Sequence, residues 1–262
     1  MLKKFLFIFL IFALFPLTAC ADTESTSAEV NASPATLGGM FCTADLPEGE
    51  VLTVSVSGDF FIADCIEDLL SFGVVSGRHR DYVVRVEILD EWVAWRNMTL
   101  PSQHEGALPF LEDDPGLDFS DDYRPSTFYR AQVLEAFLGE VEVGDILYIA
   151  QSGGRIGNVH FETDYFVPLA LGEDLVLILS SPSWMTNEEW PATLISPFQS
   201  VYRFPSSSGD IRTFSLDEEL EPYQPSERTA HFGLPLTLHD LAEMQRENFG
   251  EVSESFQEVL QQ

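Results

Sequence analysis

Short apolar and aromatic runs, separated by turns that contain glycine, fill the middle of this sequence between Thr127 and Ser180. Antiparallel strands that bury one face show this pattern of short, half-apolar segments bounded by turn residues. We therefore predict three strands, at residues 127–138, 145–150 and 174–179, with a turn bounded by Gly139 and Gly144 after the first.

The flanking sequence adds strands and two helices. Asp64, Glu67 and Gly73 follow the pattern of an N-cap, a capping box and a C-terminal glycine, which predicts a short helix. Thr237 opens a second helical pattern, amphipathic and interrupted at Gly250, which either docks on the strands or frays. Further strands are predicted at 51–56, at 82–89 with an extension to Trp95, at 193–195 and at 199–204.

The predicted fold is therefore mainly β, within the α+β class. We expect a small antiparallel barrel with one short N-terminal helix and a C-terminal amphipathic helix. Two long polar segments rich in proline or tryptophan, 97–125 and 180–191, are predicted as loops. Loops longer than about fifteen residues are usually functional or disordered.

The first twenty residues follow the pattern of a secretory signal. Lys3 and Lys4 precede an uncharged apolar stretch that is too short to span a bilayer as a helix. The tetrapeptide that ends at Cys20, Leu-Thr-Ala-Cys, resembles the bacterial lipobox. That resemblance implies cleavage before Cys20, a diacylglycerol anchor on its sulfur, and a cell-membrane location facing the extracytoplasmic side. The alternatives are an uncleaved helix or an ordinary secreted protein.

On this interpretation the chain has four parts. They are a signal peptide at 1–19, the lipidated cysteine and a flexible tether at 20–49, a β-barrel domain at 50–205, and an acidic linker with the C-terminal helix at 206–262. The tether is rich in Ser, Thr, Ala and Glu without apolar periodicity, as flexible linkers are.

The charge balance excludes one class of partner. The sequence holds 43 acidic and 13 basic residues, and after the signal every remaining basic residue is arginine. Nucleic acids bind to cationic faces, so we expect no nucleic-acid partner. The excess of carboxylate indicates an acidic, solvated surface and suits high ionic strength, where salt screens self-repulsion.

Cysteines and acidic residues supply the other candidate sites. In an oxidising compartment Cys42 and Cys65 are candidates for a disulfide, unless Cys65 is simply a buried apolar side chain on its helix. The acidic segment 112–122 offers carboxylates for calcium, although it lacks the spacing of an EF-hand and a solvated loop is the simpler interpretation. Its candidate ligands are Asp113, Asp114, Asp118, Asp121 and Asp122. No other cofactor is expected.

Tryptophans and a glycine-rich segment supply further candidates. Trp184 and Trp190 are candidate binding residues in the second loop, because aromatic side chains commonly anchor recognition surfaces. Trp92 and Trp95 fall on opposite faces of a strand, so at least one belongs to the core. The glycines of 153–157 suggest either a weak phosphate cradle or, more simply, a hairpin turn.

Four segments of the sequence resemble a family. They are 82–90, 127–139, 143–151 and 171–179. Their order is similar to that of bacterial envelope lipoproteins with a netrin/tissue-inhibitor-like OB barrel, over roughly residues 80–205. The resemblance implies an OB-like antiparallel barrel whose two loops form a binding face. The inhibitory mechanism of that wider family needs a free N-terminal cysteine amine, which an acylated Cys20 does not provide.

Two functions are consistent with these patterns. The first is a non-catalytic binding or envelope-interaction module, held at the membrane through lipid at Cys20, with an unknown protein or cell-envelope partner. The alternative is an envelope hydrolase that uses acidic residues or a bound cation. A weaker third function is the buffering of cations by the acidic surface. No Gly-x-Ser-x-Gly or His-Glu-x-x-His motif occurs in the sequence.

Overall fold

A computed structural model describes residues 51–56, 62–75, 79–97, 110–111, 123–182, 191–205, 216–217, 219–223 and 232–261. Its elements, in chain order, are β1 (Leu52–Val56), α1 (Ile66–Val75), β2 (His79–Asn97), β3 (Phe110–Leu111), β4 (Tyr123–Leu138), β5 (Ile146–Ser152), β6 (Gly154–Ile156), β7 (Val159–Thr163), β8 (Asp174–Pro182), β9 (Thr193–Leu194), β10 (Val201–Arg203), β11 (Glu221–Pro222), α2 (Leu238–Phe249) and α3 (Glu254–Leu260). The mainly β prediction is confirmed, and each predicted strand has a counterpart.

The main sheet is built on β2, which pairs on both sides. Its strand order is β11-β10-β8-β2-β4-β5, with every neighbouring pair antiparallel. β3 pairs with the far end of β2, and β9 pairs with β8. A smaller sheet has the order β1-β7-β6, in which β1 and β7 are parallel. The predicted central strand is therefore confirmed, and it is longer than the sequence pattern indicated.

The sheet does not close into a barrel through a continuous ladder of strands. In the described part of the chain, its ordered path ends at β5 on one side and β11 on the other. One isolated parallel bridge joins Ile149 of β5 to Ala192, next to β9. The Ala150 N–H donates to Ala192 O at 2.9 Å, and the Ala192 N–H donates to Tyr148 O at 2.8 Å. The prediction of an antiparallel sheet is thus confirmed, whereas a closed barrel is not shown.

A β-bulge at Leu89 reverses the faces of β2. The pairing of β2 with β4 shifts between Ile88 and Asp90, so that one residue of β2 lies outside the register. Because side chains alternate along a strand, a shift of one residue moves every later side chain to the opposite face. Ile88 and Asp90 are two positions apart and would share a face in a regular strand. Instead, Ile88 is buried on one side of the sheet and Asp90 is exposed on the other.

Two apolar cores lie on the two faces of the sheet. The inner core includes Val84, Val86, Tyr129, Leu175 and Leu177. The outer core lies between the sheet and all three helices, and it includes Leu69, Val83, Phe137, Leu241 and Phe256. The helices therefore cover the sheet where β2 pairs with β8, before the bulge at Leu89. The strands supply apolar side chains to that region.

Both predicted helices are confirmed, and both ends of the first are corrected. Helix α1 begins at Ile66, so Cys65 and not Asp64 lies at the N-cap position. Thr237 caps α2 in a reciprocal capping box with Asp240, and Gly250 ends it in the left-handed conformation with φ +83°. The C-terminal helix docks rather than frays, since Phe256 of α3 is fully buried. The predicted end of α1 at Gly73 is wrong, because the helix continues to Val75. A glycine inside a helix costs about 1 kcal/mol, which packing of the helix against the sheet can offset.

A buried carboxylate fastens the C-terminal helices to the sheet. Glu135 of β4 is 2% exposed. Its Oε1 accepts hydrogen bonds from Gln245 Nε2 and Ser253 Oγ, both at 2.6 Å, and its Oε2 accepts one from Ser255 Oγ at 2.7 Å. Gln245 also donates to the Ala136 carbonyl at 2.8 Å. Three hydrogen-bond donors therefore compensate this carboxylate for its removal from water.

We predict that Glu135→Gln lowers the free energy of unfolding by about 1–3 kcal/mol, because the amide replaces one acceptor oxygen with a donor that faces other donors. Urea unfolding of the full-length protein measures the change. Glu247→Gln, at an exposed position of α2, is the matched control and should leave the midpoint unchanged. Equal midpoints for both variants would contradict a role for the buried charge.

Candidate ligand-binding face

Most of the site residues predicted from sequence lie outside the described residues. They are Cys20, Cys42, Asp113, Asp114, Asp118, Asp121, Asp122, Trp184 and Trp190. Lipidation, the disulfide, the calcium site and the tryptophan loop therefore stay predictions. The loops themselves are shorter than predicted, because β2 reaches Asn97, β4 starts at Tyr123 and β8 reaches Pro182.

Cys65 is the one predicted site residue that the structure describes. It precedes α1, is partly buried, and carries no disulfide within the described part of the chain. The backbone N–H of Asp68 donates to its sulfur and lowers the pKa of the thiol, but the side chains of Glu67 and Asp68, together with burial, raise that pKa above its ordinary value. A raised pKa lowers the fraction of thiolate, the reactive form of cysteine, at neutral pH.

Beyond the bulge, the outer face of β2, β4 and β5 presents rows of side chains in register. The rows are Asp90, Arg130 and Tyr148; Trp92, Phe128 and Ala150; Ala94, Ser126 and Ser152; and Arg96 with Arg124. Directly paired residues of antiparallel strands point to the same face. The four rows therefore form one surface, which we call the outer face.

Aromatic side chains occupy the middle of the outer face. The Trp92 ring stacks on Phe128 with ring centroids 5.5 Å apart, and it meets the Tyr148 ring edge-on at 6.2 Å. Phe128 is buried, whereas Trp92 and Tyr148 are partly exposed. Trp95 is buried, so the prediction that one of the two tryptophans of β2 belongs to the core is confirmed. Partly exposed aromatic rings on a buried base are typical anchors for a ligand.

Charged side chains lie at both ends of this aromatic cluster. At one end, Arg130 and Asp90 form an exposed ion pair at 3.4 Å, which contributes little to stability. At the other end, Arg96 and Arg124 are direct cross-strand partners. Burial lowers the pKa of Arg96 to about 10, so the side chain remains charged at neutral pH. The guanidinium carbon of Arg124 lies 5.9 Å from the centroid of the Phe161 ring.

The glycine segment 153–157 forms the β6–β7 hairpin and not a phosphate cradle. Gly154 has φ +129° and Gly157 has φ +55°, and β6 pairs with β7 across the turn between Ile156 and Val159. A β-carbon on Gly154 would lie 2.7 Å from Val93 Cγ1, so this position requires glycine for close approach as well as for its backbone angle. The hairpin interpretation from sequence is confirmed.

The described residues show neither a metal-binding cluster nor a membrane-spanning helix. No group of three or more His, Cys, Asp or Glu side chains there is arranged to hold a metal ion. His239 and Glu243, noted in the sequence as one helical turn apart, lie 3.4 Å apart on the exposed side of α2. In the same part of the chain, none of the helices has the length and apolar character of a membrane span.

Comparison of the chain with family models, characterised proteins and solved structures finds no match. The interpretation of the outer face therefore depends on its own geometry. Sequence reasoning missed Phe128, Tyr148, Arg96 and Arg124 as neighbours. Alternation within each strand indicated which of its residues share a face. Which residues of β2 and β4 lie opposite each other depends on the bulge at Leu89, and the sequence did not indicate that bulge.

Proposed function

We propose that this protein is a lipid-anchored extracytoplasmic binding module whose ligand docks on the outer face of β2, β4 and β5. The observation that carries the proposal is the cluster of Trp92, Phe128 and Tyr148, in which two partly exposed rings lie against a buried one. Rigid aromatic side chains on strands lose little conformational entropy on binding, which suits them to recognition.

We further propose that the domain is OB-like. Three features of its pairing support this: β2, β4 and β5 form an antiparallel meander, β8 pairs with the other side of β2, and Ala192 beside β9 contacts β5 in parallel. In OB folds the second and third strands, with two adjoining loops, bind oligosaccharides or oligonucleotides. The corresponding strands here are β4 and β5, and the segments 98–109 and 183–190 would adjoin them.

The net charge of the whole chain favours a cell-envelope ligand over a nucleic acid. The chain carries a formal charge of −30, which repels polyanions that extend over many phosphates. Aromatic rings that stack on one another also offer apolar area to the faces of sugars or to the side chains of a partner protein. A tether between Cys20 and residue 50 would hold the domain close to such ligands.

We predict that Trp92→Ala weakens binding of the full-length protein to isolated cell-wall material by tenfold or more, since truncating an anchor residue typically costs at least about 2 kcal/mol. Co-sedimentation measures the bound fraction. Phe249→Ala removes an exposed aromatic ring at the end of α2 and serves as the control, which should bind like the wild type. Wild-type binding by Trp92→Ala would place the ligand elsewhere, and an equal loss in both variants would contradict a specific role of the aromatic cluster.

The anchor is tested separately with Cys20→Ser. We expect this variant to leave the membrane fraction and to lack the mass of a diacylglycerol group, because a hydroxyl cannot replace the thiol in thioether formation. Cell fractionation and intact-mass spectrometry provide the two readouts. Retention of the variant in the membrane would contradict lipidation, whereas its binding to cell-wall material should not change if the outer face is the binding site.

A further inference from the structure

We propose that Arg96 and Arg124 form a binding site for a doubly charged oxyanion of the phosphate class. The site lies at one end of the outer face, so the inference names a ligand group for that face. The biological use of this site rests on the proposed function, whereas the arrangement of the two arginines does not. The bound group is a tetrahedral dianion, which can be a free ion or part of a larger ligand.

The two arginines lie directly opposite each other on neighbouring strands. Arg96 of β2 and Arg124 of β4 are paired in the antiparallel ladder, so both side chains leave the same face from β-carbons about 5 Å apart. Like charges placed directly opposite each other destabilise a sheet. This arrangement is therefore unfavourable unless an anion lies between the two guanidinium groups.

Other arginines of the same sheet have carboxylate partners. Arg85 donates to both carboxylate oxygens of Asp174, at 2.8 and 2.6 Å. Arg130 pairs with Asp90. Among the residues that the structure describes, neither Arg96 nor Arg124 has a carboxylate partner, although acids outnumber bases in the chain by 43 to 13. Within the described part of the chain, no carboxylate therefore competes with an external anion for these two positive charges.

Burial of Arg96 and an aromatic ring beside Arg124 restrict the two side chains. Arg96 is partly buried, and a charge removed from water needs a counter-charge. The Phe161 ring lies beside the Arg124 guanidinium and restricts it through a cation–π contact. Burial raises the pKa of Tyr165, and the positive charge of Arg124 acts in the opposite direction on the same hydroxyl.

The charge of the pair selects the ligand class. A carboxylate neutralises only one guanidinium, whereas a phosphate dianion neutralises both, and its oxygens accept from two planar forks at once. The net negative charge of the protein opposes the approach of any anion. At physiological ionic strength, however, the screening length is about 8 Å, so the local pair dominates over distant carboxylates.

The test uses the full-length protein, inorganic phosphate and about pH 8, where phosphate is mainly dianionic. Titration calorimetry and thermal melting are run with chloride at matched ionic strength and with acetate. We expect phosphate alone to bind and to raise the melting temperature. Arg96→Gln and Arg124→Gln should each lose at least tenfold in phosphate affinity, while Arg203→Gln, on the distant strand β10, should keep the wild-type affinity.

A second measurement keeps the inference falsifiable if a variant is unstable. Without phosphate, Arg124→Gln should melt at or above the wild-type temperature, because removal of one charge relieves the repulsion. A large loss of stability without phosphate, together with no phosphate effect on the wild type, would show that a carboxylate of the chain already neutralises the pair. An undiminished phosphate effect in both arginine variants would place the anion elsewhere.

The outcomes also separate this inference from the proposed function. If Trp92→Ala abolishes binding to cell-wall material but phosphate does not bind to the wild type, only the oxyanion site is wrong. If phosphate binds through the two arginines but Trp92→Ala has no effect on cell-wall binding, only the proposed binding role of the aromatic cluster is wrong.

Discussion

The long backbone ladder of β2 determines the arrangement of the rest of the structure. β2 pairs with β4 over residues 83–97. On its other side it pairs with β8 over residues 79–87 and with β3 at residues 95–96. Each antiparallel pairing satisfies buried backbone groups that would otherwise cost free energy. The inner core then forms beneath the ladder from the alternating side chains of β2, β4 and β8.

The bulge at Leu89 divides the outer side of this ladder into two regions with different chemistry. On one side of the bulge, Val83 and Phe137 are covered by the helices, and Glu135 accepts the hydrogen bonds that fasten α2 and the start of α3. On the other side of the bulge, the same side of the ladder carries aromatic rings and two adjacent arginines. The first region stabilises the domain, and we propose that the second recognises a ligand.

The sequence predicted the elements better than their arrangement. The β-branched run of β2, the capping box at Thr237 and the glycine at Gly250 act within a few residues, so their patterns could be recognised. The pairing of Arg96 with Arg124, and the burial of Glu135 under α2, join residues that are far apart in the chain. Such contacts depend on register, and a single inserted residue changes register without leaving a local pattern.

Hydroxyl-radical footprinting of the full-length protein, with and without cell-wall material, tests the central claim most directly. The account predicts that Trp92 and Tyr148 are oxidised in the free protein and protected when the ligand is bound. Trp95 and Tyr129, which are buried in the described structure, should remain unlabelled in both states. Protection at exposed sites distant from the outer face, such as Leu171 or Phe249, with unchanged labelling of Trp92 and Tyr148, would contradict the account.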